Sequence, residues 1–203
     1  MQDKIIVCGS SNSELGKLIS RNFSIPLAVV EKTKFASSET RVRILSDLKS
    51  KEVYLLQSLS KPTNDHLVEL LLLADAANRM NPKTITAVVP WFGYAPQDKI
   101  FRTGEALSSE VVTSLLECAN FSEIVFFDVH SQTVLQKFSK KVTELSMITE
   151  FARIMKDVIG TKKSDWCVAI LDKGSNQRAS EFAKLLNVEL VRFEKSRDLH
   201  TGR

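Results

Sequence analysis

Short strand-like runs alternate with longer helix-like runs up to residue 130 of this chain. The strand-like runs are apolar and rich in β-branched residues, and they cover 4–8, 27–30, 42–45, 53–57, 84–89 and 124–128. The helix-like runs cover 14–23, 65–80 and 107–119. Because strands that alternate with helices are typical of βαβ units, the sequence predicts an α/β fold with a mostly parallel sheet.

A shorter set of the same kind follows. The chain is expected to leave the first sheet around 143–147, and a helix is predicted over 148–158, with Gly160 as its stop signal. A strand, a helix and a strand are then predicted at 167–171, 176–186 and 188–193. We therefore predict two domains, residues 1–146 and residues 147–203.

Composition excludes several classes of protein. With 43% hydrophobic and 26% charged residues, the chain has the composition of an ordinary globular protein. The net charge of +4 is not gathered into a Lys/Arg block, so no nucleic-acid partner is predicted. The longest apolar run, 67–77, contains Glu69 and Asp75, which argues against a membrane span. Since the apolar start of the chain soon turns polar, it is interpreted as a first strand and not a signal peptide.

The three cysteines are far apart and lack C-x-x-C spacing. Cys8, Cys118 and Cys167 each stand among apolar neighbours. This pattern predicts buried free thiols in a reducing compartment, and hence a cytoplasmic protein. The helix-like run 65–80 is apolar on most of its faces, so we expect it to be largely buried and partly at a subunit contact.

Polar side chains follow two of the predicted strands where each strand ends. The run 84–89 leads through Pro90 into an aromatic, polar and basic loop, and the run 124–128 ends at Asp128, with His130 two residues later. The carboxyl ends of parallel strands border the crevice where open α/β sheets bind ligands. If the strand continues past Asp128, both side chains face the same way. This combination suits a polyanion and its metal.

Each of these residues also has an ordinary structural interpretation. A lone histidine such as His130 can simply cap a strand end, and Phe35, in a serine-rich loop, can be tucked into the core. The basic pair Lys195 and Arg197 can belong to a solvated loop. These alternatives stay open at this point.

Several motifs together resemble one family. Residues 92–99 (FGYAPQDK) are similar to the YARQDK motif of ribose-phosphate pyrophosphokinases, also called PRPP synthetases, and 128–130 (DVH) resembles their DLH. Residues 35–40 (FASSET) resemble the family's F-x-x-x-E-T nucleotide loop. The opening strand, turn and helix are similar as well, and the resemblance is colinear over nearly the whole chain.

The resemblance implies a phosphoribosyltransferase-like, parallel-sheet domain followed by part of a second similar domain. It implies an enzyme that transfers the diphosphoryl group of Mg–ATP to ribose 5-phosphate, giving PRPP and AMP. It also implies a homo-oligomer with sites completed across subunits. The residues that the resemblance assigns are, for ATP, Phe35, Ser37, Glu39, Gln97, Asp98, Lys99 and Arg102; for Mg²⁺, His130 and Asp172; and for catalysis, His130, Lys195 and Arg197.

The chain departs from the family pattern at several places, one of which is Ser37, where the family usually has an asparagine. Pro96 and Gly104 stand where the family has arginines, and Arg102 is a candidate replacement. No counterpart is found for the acidic, threonine-rich loop that grips the 5-phosphate, so the resemblance is C-terminally incomplete and implies low turnover of ribose 5-phosphate. Two other interpretations therefore stay open: a non-catalytic relative that regulates or scaffolds a synthetase, and a phosphoribosyltransferase that consumes PRPP.

Overall fold

The computed structural model describes residues 3–170 and 173–193. The chain divides into two compact units, Met1–Leu145 and Ser146–Arg203. In chain order, the first unit contains β1 (Lys4–Cys8), α1 (Ser13–Phe23), β2 (Val30–Lys34), β3 (Thr40–Ile44), β4 (Glu52–Leu56), α2 (Thr63–Asn78), β5 (Thr84–Val89), α3 (Ser108–Cys118), β6 (Glu123–Phe127), α4 (Gln132–Leu135) and β7 (Val142–Leu145).

A five-stranded sheet forms the centre of this unit. Its strand order is β1-β4-β5-β6-β7, and every neighbouring pair is parallel. The predicted α/β fold with a parallel sheet is confirmed. The chain leaves this sheet after Leu145, within the predicted stretch 143–147. The strand β7, which pairs with β6 just before that point, was not predicted.

The strand predicted at 27–30 is wrong. In that stretch, Leu27 makes only an isolated parallel bridge to Ile6. The strand in this region is β2, which begins at Val30 and is mostly polar. β2 pairs with β3 in an antiparallel hairpin outside the main sheet. An apolar pattern cannot reveal such a strand, because four of its five residues are exposed to solvent.

The core of the first unit lies on the face of the sheet covered by α2 and α3. Along β5 and β6 buried and half-buried residues alternate, as expected when one face of a strand is covered better than the other. α2 turns seven side chains inward: His66, Leu67, Glu69, Leu70, Leu73, Ala74 and Ala77. The other face is covered by α1, where Gly16 lies so close to Cys8 that an added Cβ would come within 2.7 Å of its Sγ.

The second unit contains α5 (Ile148–Ile159), β8 (Cys167–Ile170), α6 (Asn176–Leu186) and β9 (Glu189–Arg192). β8 and β9 pair in parallel, and the two helices pack together around Ala152, Ile159 and Leu186. Gly160, at a φ of 57°, ends α5, which is the stop signal expected from the sequence.

The prediction for the cysteines is partly wrong. All three are free, but only Cys8 is buried, whereas Cys118 and Cys167 are exposed. Burial raises the pKa of the Cys8 thiol. Within the part of the chain that the structure describes, no helix has the length and apolar character needed to cross a membrane.

Candidate functional site

The loops at the carboxyl edge of the main sheet carry most of the predicted site residues. The loop after β5 carries Gln97, Asp98, Lys99 and Arg102, and the loop after β6 carries His130. The loops after β1 and β4 lie at the same edge, because all the strands are parallel. This edge is where open α/β sheets place their ligands.

A network of polar bonds fixes the loops after β1 and β4. Gln57 is fully buried, and its Oε1 accepts hydrogen bonds from the N–H of Ser11 at 3.1 Å and from its hydroxyl at 2.7 Å. The buried carboxylate of Glu69 accepts a bond from the N–H of Ser10 at 2.8 Å and another from its hydroxyl. Gly9 is required here, because an added Cβ would lie 2.1 Å from Gln57 Oε1. These bonds join the loop after β1 to the loop after β4 and to α2.

Gln97 connects the β5 loop to the first turn of α3. Its N–H donates to the carbonyl of Tyr94 at 3.0 Å, and its own carbonyl accepts from the N–H of Ser109 at 3.2 Å. Its side-chain oxygen accepts from the Ser108 hydroxyl. The side-chain NH₂ group makes no hydrogen bond within residues 3–170 and 173–193, so it is available to a ligand.

Pro96 and Gly104, two of the departures that the resemblance suggested, both lie in the loop after β5. Pro96 is exposed, and the turn around it is closed by the N–H of Gln97. Gly104 has a φ of 90°, which strains any residue with a Cβ. The turn is held by the Glu105 carboxylate, which accepts from the N–H groups of Phe101 and Arg102 at 2.9 and 3.0 Å.

His130 is exposed on a loop whose neighbouring residues are hydrogen-bonded to Glu144. β6 ends at Phe127, and Asp128 has a φ of 42°, so the strand does not continue to His130. The condition under which Asp128 and His130 would face the same way, a strand that continues past Asp128, is therefore not met. The N–H of Val129 donates to Glu144 Oε1 at 2.7 Å, and the side-chain amide of Gln132 donates to the other oxygen of the same carboxylate.

The β5 and β6 loops meet above the sheet. The hydroxyl of Thr133 lies 3.5 Å from Asp98 Oδ2, which brings the Gln97–Asp98 segment close to the segment that carries His130. Below them, Phe92, Phe126 and Phe138 form an aromatic cluster with ring centroids 4.6 to 6.1 Å apart. This cluster braces both loops from the core side.

Phe35, Ser37 and Glu39 lie in the turn of the β2–β3 hairpin. The N–H of Phe35 donates to the carbonyl of Glu39 at 2.9 Å, and the Ser37 hydroxyl donates to the Glu39 carboxylate. The Phe35 side chain is 53% exposed, so the interpretation that it is tucked into the core is wrong for this chain. An exposed aromatic ring on a short turn is a suitable stacking surface for a flat ligand.

The hairpin is joined to the β5 loop only indirectly. Lys34 Nζ lies 3.0 Å from Asp65 Oδ2 at the start of α2, and the neighbouring Asn64 accepts a hydrogen bond from the hydroxyl of Tyr94. A cleft of about 310 Å³ separates the hairpin from α2. In residues 3–170, no hydrogen bond or ion pair joins the 35–39 turn to the 97–102 loop.

The described residues are compatible with a metal ion that binds mainly through the phosphates of a substrate. Within the described parts of the chain, no three His, Cys, Asp or Glu side chains converge where an ion could sit. Mg²⁺ does not need such a cage, because it keeps several waters and commonly binds substrate phosphates through one or two protein ligands. The other predicted residues, Asp172, Lys195 and Arg197, lie outside the described residues.

Three residues with a place in this site were missed by sequence reasoning. Glu105 accepts from backbone N–H groups of the loop after β5, Glu144 accepts from one in the loop after β6, and Arg41 lies over the ring of Phe35. Glu105 could have been found as an acidic residue next to a glycine turn. Glu144 and Arg41 contact residues that lie outside any sequence motif containing them. The sequence therefore carried no signal for these two contacts.

Comparisons of the sequence and of the structure with known proteins both find similarity to ribose-phosphate pyrophosphokinases. The family model for the N-terminal domain of ribose phosphate pyrophosphokinase matches residues 4–119. The ribose-phosphate pyrophosphokinase of Saccharolobus solfataricus is 31% identical over 198 residues, which is 98% of this chain and 67% of the relative. That of Fusobacterium nucleatum is 31% identical over 95% of this chain and 60% of the relative.

Among solved structures, the phosphoribosylpyrophosphate synthetase from Mycobacterium smegmatis superimposes with a TM-score of 0.88 at 27% identity. The match covers 97% of this chain and 65% of that structure. A parallel sheet with loops at the carboxyl ends of its strands places the chain among the open α/β proteins that bind ligands at that edge. Within that class, the chain belongs to the ribose-phosphate pyrophosphokinase family. It spans about two thirds or less of the length of these relatives.

Proposed function

We propose that this protein acts as a ribose-phosphate diphosphokinase. The reaction transfers the diphosphoryl group of Mg–ATP to the anomeric hydroxyl of ribose 5-phosphate, giving PRPP and AMP. The observation that carries the proposal is the meeting of the β5 and β6 loops at the carboxyl edge of the sheet, where Thr133 contacts Asp98. We assign residues 1–146 to an ATP-side domain and residues 147–203 to part of a second phosphoribosyltransferase-like domain.

ATP binds between an aromatic turn and a polar, basic loop in this proposal. Phe35 stacks on the adenine, and Ser37 and Glu39 contact the base or the ribose. The uncommitted amide of Gln97 donates to the phosphates, and the exposed Lys99 and Arg102 neutralise their charge. Asp98 belongs to the same loop, and its contact with Thr133 keeps that loop beside His130.

Mg²⁺, when bound with the nucleotide, would supply charge neutralisation and orientation of the triphosphate for in-line attack. His130 and Asp172 are the proposed protein ligands of this ion. His130 is exposed on a loop fixed by Glu144, so it can reach a ligand without disturbing the core. Lys195 and Arg197 are proposed to stabilise the charge that develops on the transferred group.

Formation of AMP tests this proposal. With the intact chain in excess over ATP, we expect AMP to form in a single turnover that depends on ribose 5-phosphate and Mg²⁺, together with an equal amount of PRPP. Omission of the sugar phosphate is the matched control. AMP that forms equally well without the sugar would indicate simple hydrolysis, and a chain that binds no ATP in calorimetry would contradict the proposal.

We further propose that the protein forms a homo-oligomer, as sites completed across subunits require. α2 offers a smaller apolar surface for a subunit contact than the sequence suggested, because seven of its side chains are buried within its own unit. Val68 is its most exposed apolar residue. We expect at least a dimer at micromolar concentration in sedimentation velocity. A stable monomer under these conditions would contradict the oligomer.

A further inference from the structure

The β2–β3 hairpin has two faces with different surroundings. Residues directly opposite each other in an antiparallel pair share a face, and Thr33 lies opposite Arg41 while Glu31 lies opposite Arg43. Because side chains alternate along a strand, Phe35 is on the same face as these four residues. We call this the outer face of the hairpin, and it includes the proposed stacking surface.

The lysines of the opposite face are already engaged. Lys34 forms an ion pair with Asp65 at 3.0 Å. Lys32 donates to the carbonyl oxygen of Cys8 at 3.3 Å, at the end of β1. Both lysines line the cleft between the hairpin and α2, so neither is available to a ligand at the turn.

The two arginines of the outer face differ from each other. Arg43 lies 3.7 Å from the Glu31 carboxylate, so its charge is partly compensated. Arg41 forms no hydrogen bond or ion pair with any residue in the described parts of the chain. It is therefore the cation of this hairpin whose five N–H donors are unused.

Arg41 lies over the ring on which a base would stack. Its guanidinium carbon lies 6.0 Å from the centroid of the Phe35 ring, at the outer limit of a cation–π contact. More than half of the Phe35 side chain remains open to solvent. A base on that open surface would leave its ribose and first phosphate at the edge of the ring, within reach of a long side chain.

We propose that Arg41 binds the phosphate nearest to the base of the nucleotide that stacks on Phe35. The inference rests on the proposed function, since it names a further residue for the same nucleotide. A guanidinium matches the geometry of a phosphate through two parallel N–H bonds and stays charged at any physiological pH. Pro96 has no charge to offer a phosphate. Arg41 would supply a cation from a different position in the chain.

Three ligands separate this role from simple support of the ring. ATP and AMP carry the phosphate, and adenosine has the same base and ribose without it. We expect Arg41→Gln to lower the affinity for ATP and AMP about tenfold or more, the scale of one charge-assisted hydrogen bond, and to leave adenosine binding nearly unchanged. Arg41→Lys keeps the charge without the fork, so it should lie between the wild type and Arg41→Gln. Calorimetry on the intact chain measures all three affinities.

Two further variants serve as controls. Arg43→Gln removes the same charge from the same face, and we expect wild-type affinities because that arginine is paired with Glu31. Phe35→Ala should weaken the binding of ATP, AMP and adenosine alike, by about fivefold to 100-fold, because it removes the stacking surface itself. All these positions are exposed, so circular dichroism should show an unchanged fold.

The possible outcomes separate this inference from the function on which it rests. ATP binding at the wild-type level in Arg41→Gln would overturn the role of Arg41 and leave the proposed function standing. An equal loss for adenosine and ATP would overturn it as well, because it would mean that Arg41 only supports the ring. A wild-type chain that binds no ATP would overturn both.

Discussion

Replacement of His130 by alanine should lower the rate of ribose 5-phosphate-dependent AMP formation by at least about 100-fold, as expected for a positioned residue next to the reacting groups. His130 is exposed and follows the end of β6, so the free energy of unfolding should change by less than about 0.5 kcal/mol. A single-turnover assay measures the rate, and a Mg²⁺ titration of ATP affinity measures the effect on the metal.

The matched control for His130 is Gln136→Ala. Gln136 is exposed on the same segment, and its side chain makes no hydrogen bond within the described residues, so activity and stability should both stay at the wild-type level. A His130→Ala variant that keeps its activity and Mg²⁺ dependence but unfolds more easily would favour the structural interpretation, in which this histidine only caps the strand end.

Phe126→Ala should lower the free energy of unfolding of the first unit by about 3–5 kcal/mol. The Phe126 side chain is fully buried, stacks on Phe92 at 4.6 Å and lies 5.6 Å from Phe138. Its removal leaves a cavity under both ligand-facing loops, and a tightly packed core relaxes only partly. Hydrogen exchange of the amides in β5 and β6 measures the change for this unit alone.

Phe101→Ala is the matched control for Phe126. Its side chain is 78% exposed in the loop after β5, so the same chemical change should alter the free energy of unfolding by less than about 0.5 kcal/mol. A loss below about 1 kcal/mol in Phe126→Ala would contradict the idea that the aromatic cluster braces the two loops, because it would mean that the surroundings collapse into the space at little cost.

The strands of the main sheet could be predicted where a local pattern reveals burial. β1 and β5 have the predicted bounds, since buried apolar residues recur along each strand. α6 was also placed correctly from its periodicity and the strands on either side. β2 was missed because it is exposed on both faces, and β7 because it is short and only partly buried. An apolar pattern records burial, and exposed strands do not carry it.

Gly104 and Asp128 show why local geometry was harder to predict than the elements. Gly104 has a positive φ, a conformation that favours glycine, but a glycine in a sequence does not say which conformation it takes. Asp128 adopts a positive φ without being glycine, and this ends β6 before His130. The sequence alone therefore could not say whether the strand continues to His130, and the orientation of that side chain depended on this.

The sequence by itself determined the α/β class, the family, and which loops carry the candidate residues. Those features depend on residues close together in the chain, where periodicity and motif spacing are visible. Only the tertiary structure decided that Thr133 approaches Asp98, that Glu144 holds the loop of His130, and that Arg41 lies over Phe35 as a free cation. Each of these contacts depends on strand pairing, hairpin register or turn geometry. Such arrangements are set by the packing of the whole unit and not by any short segment.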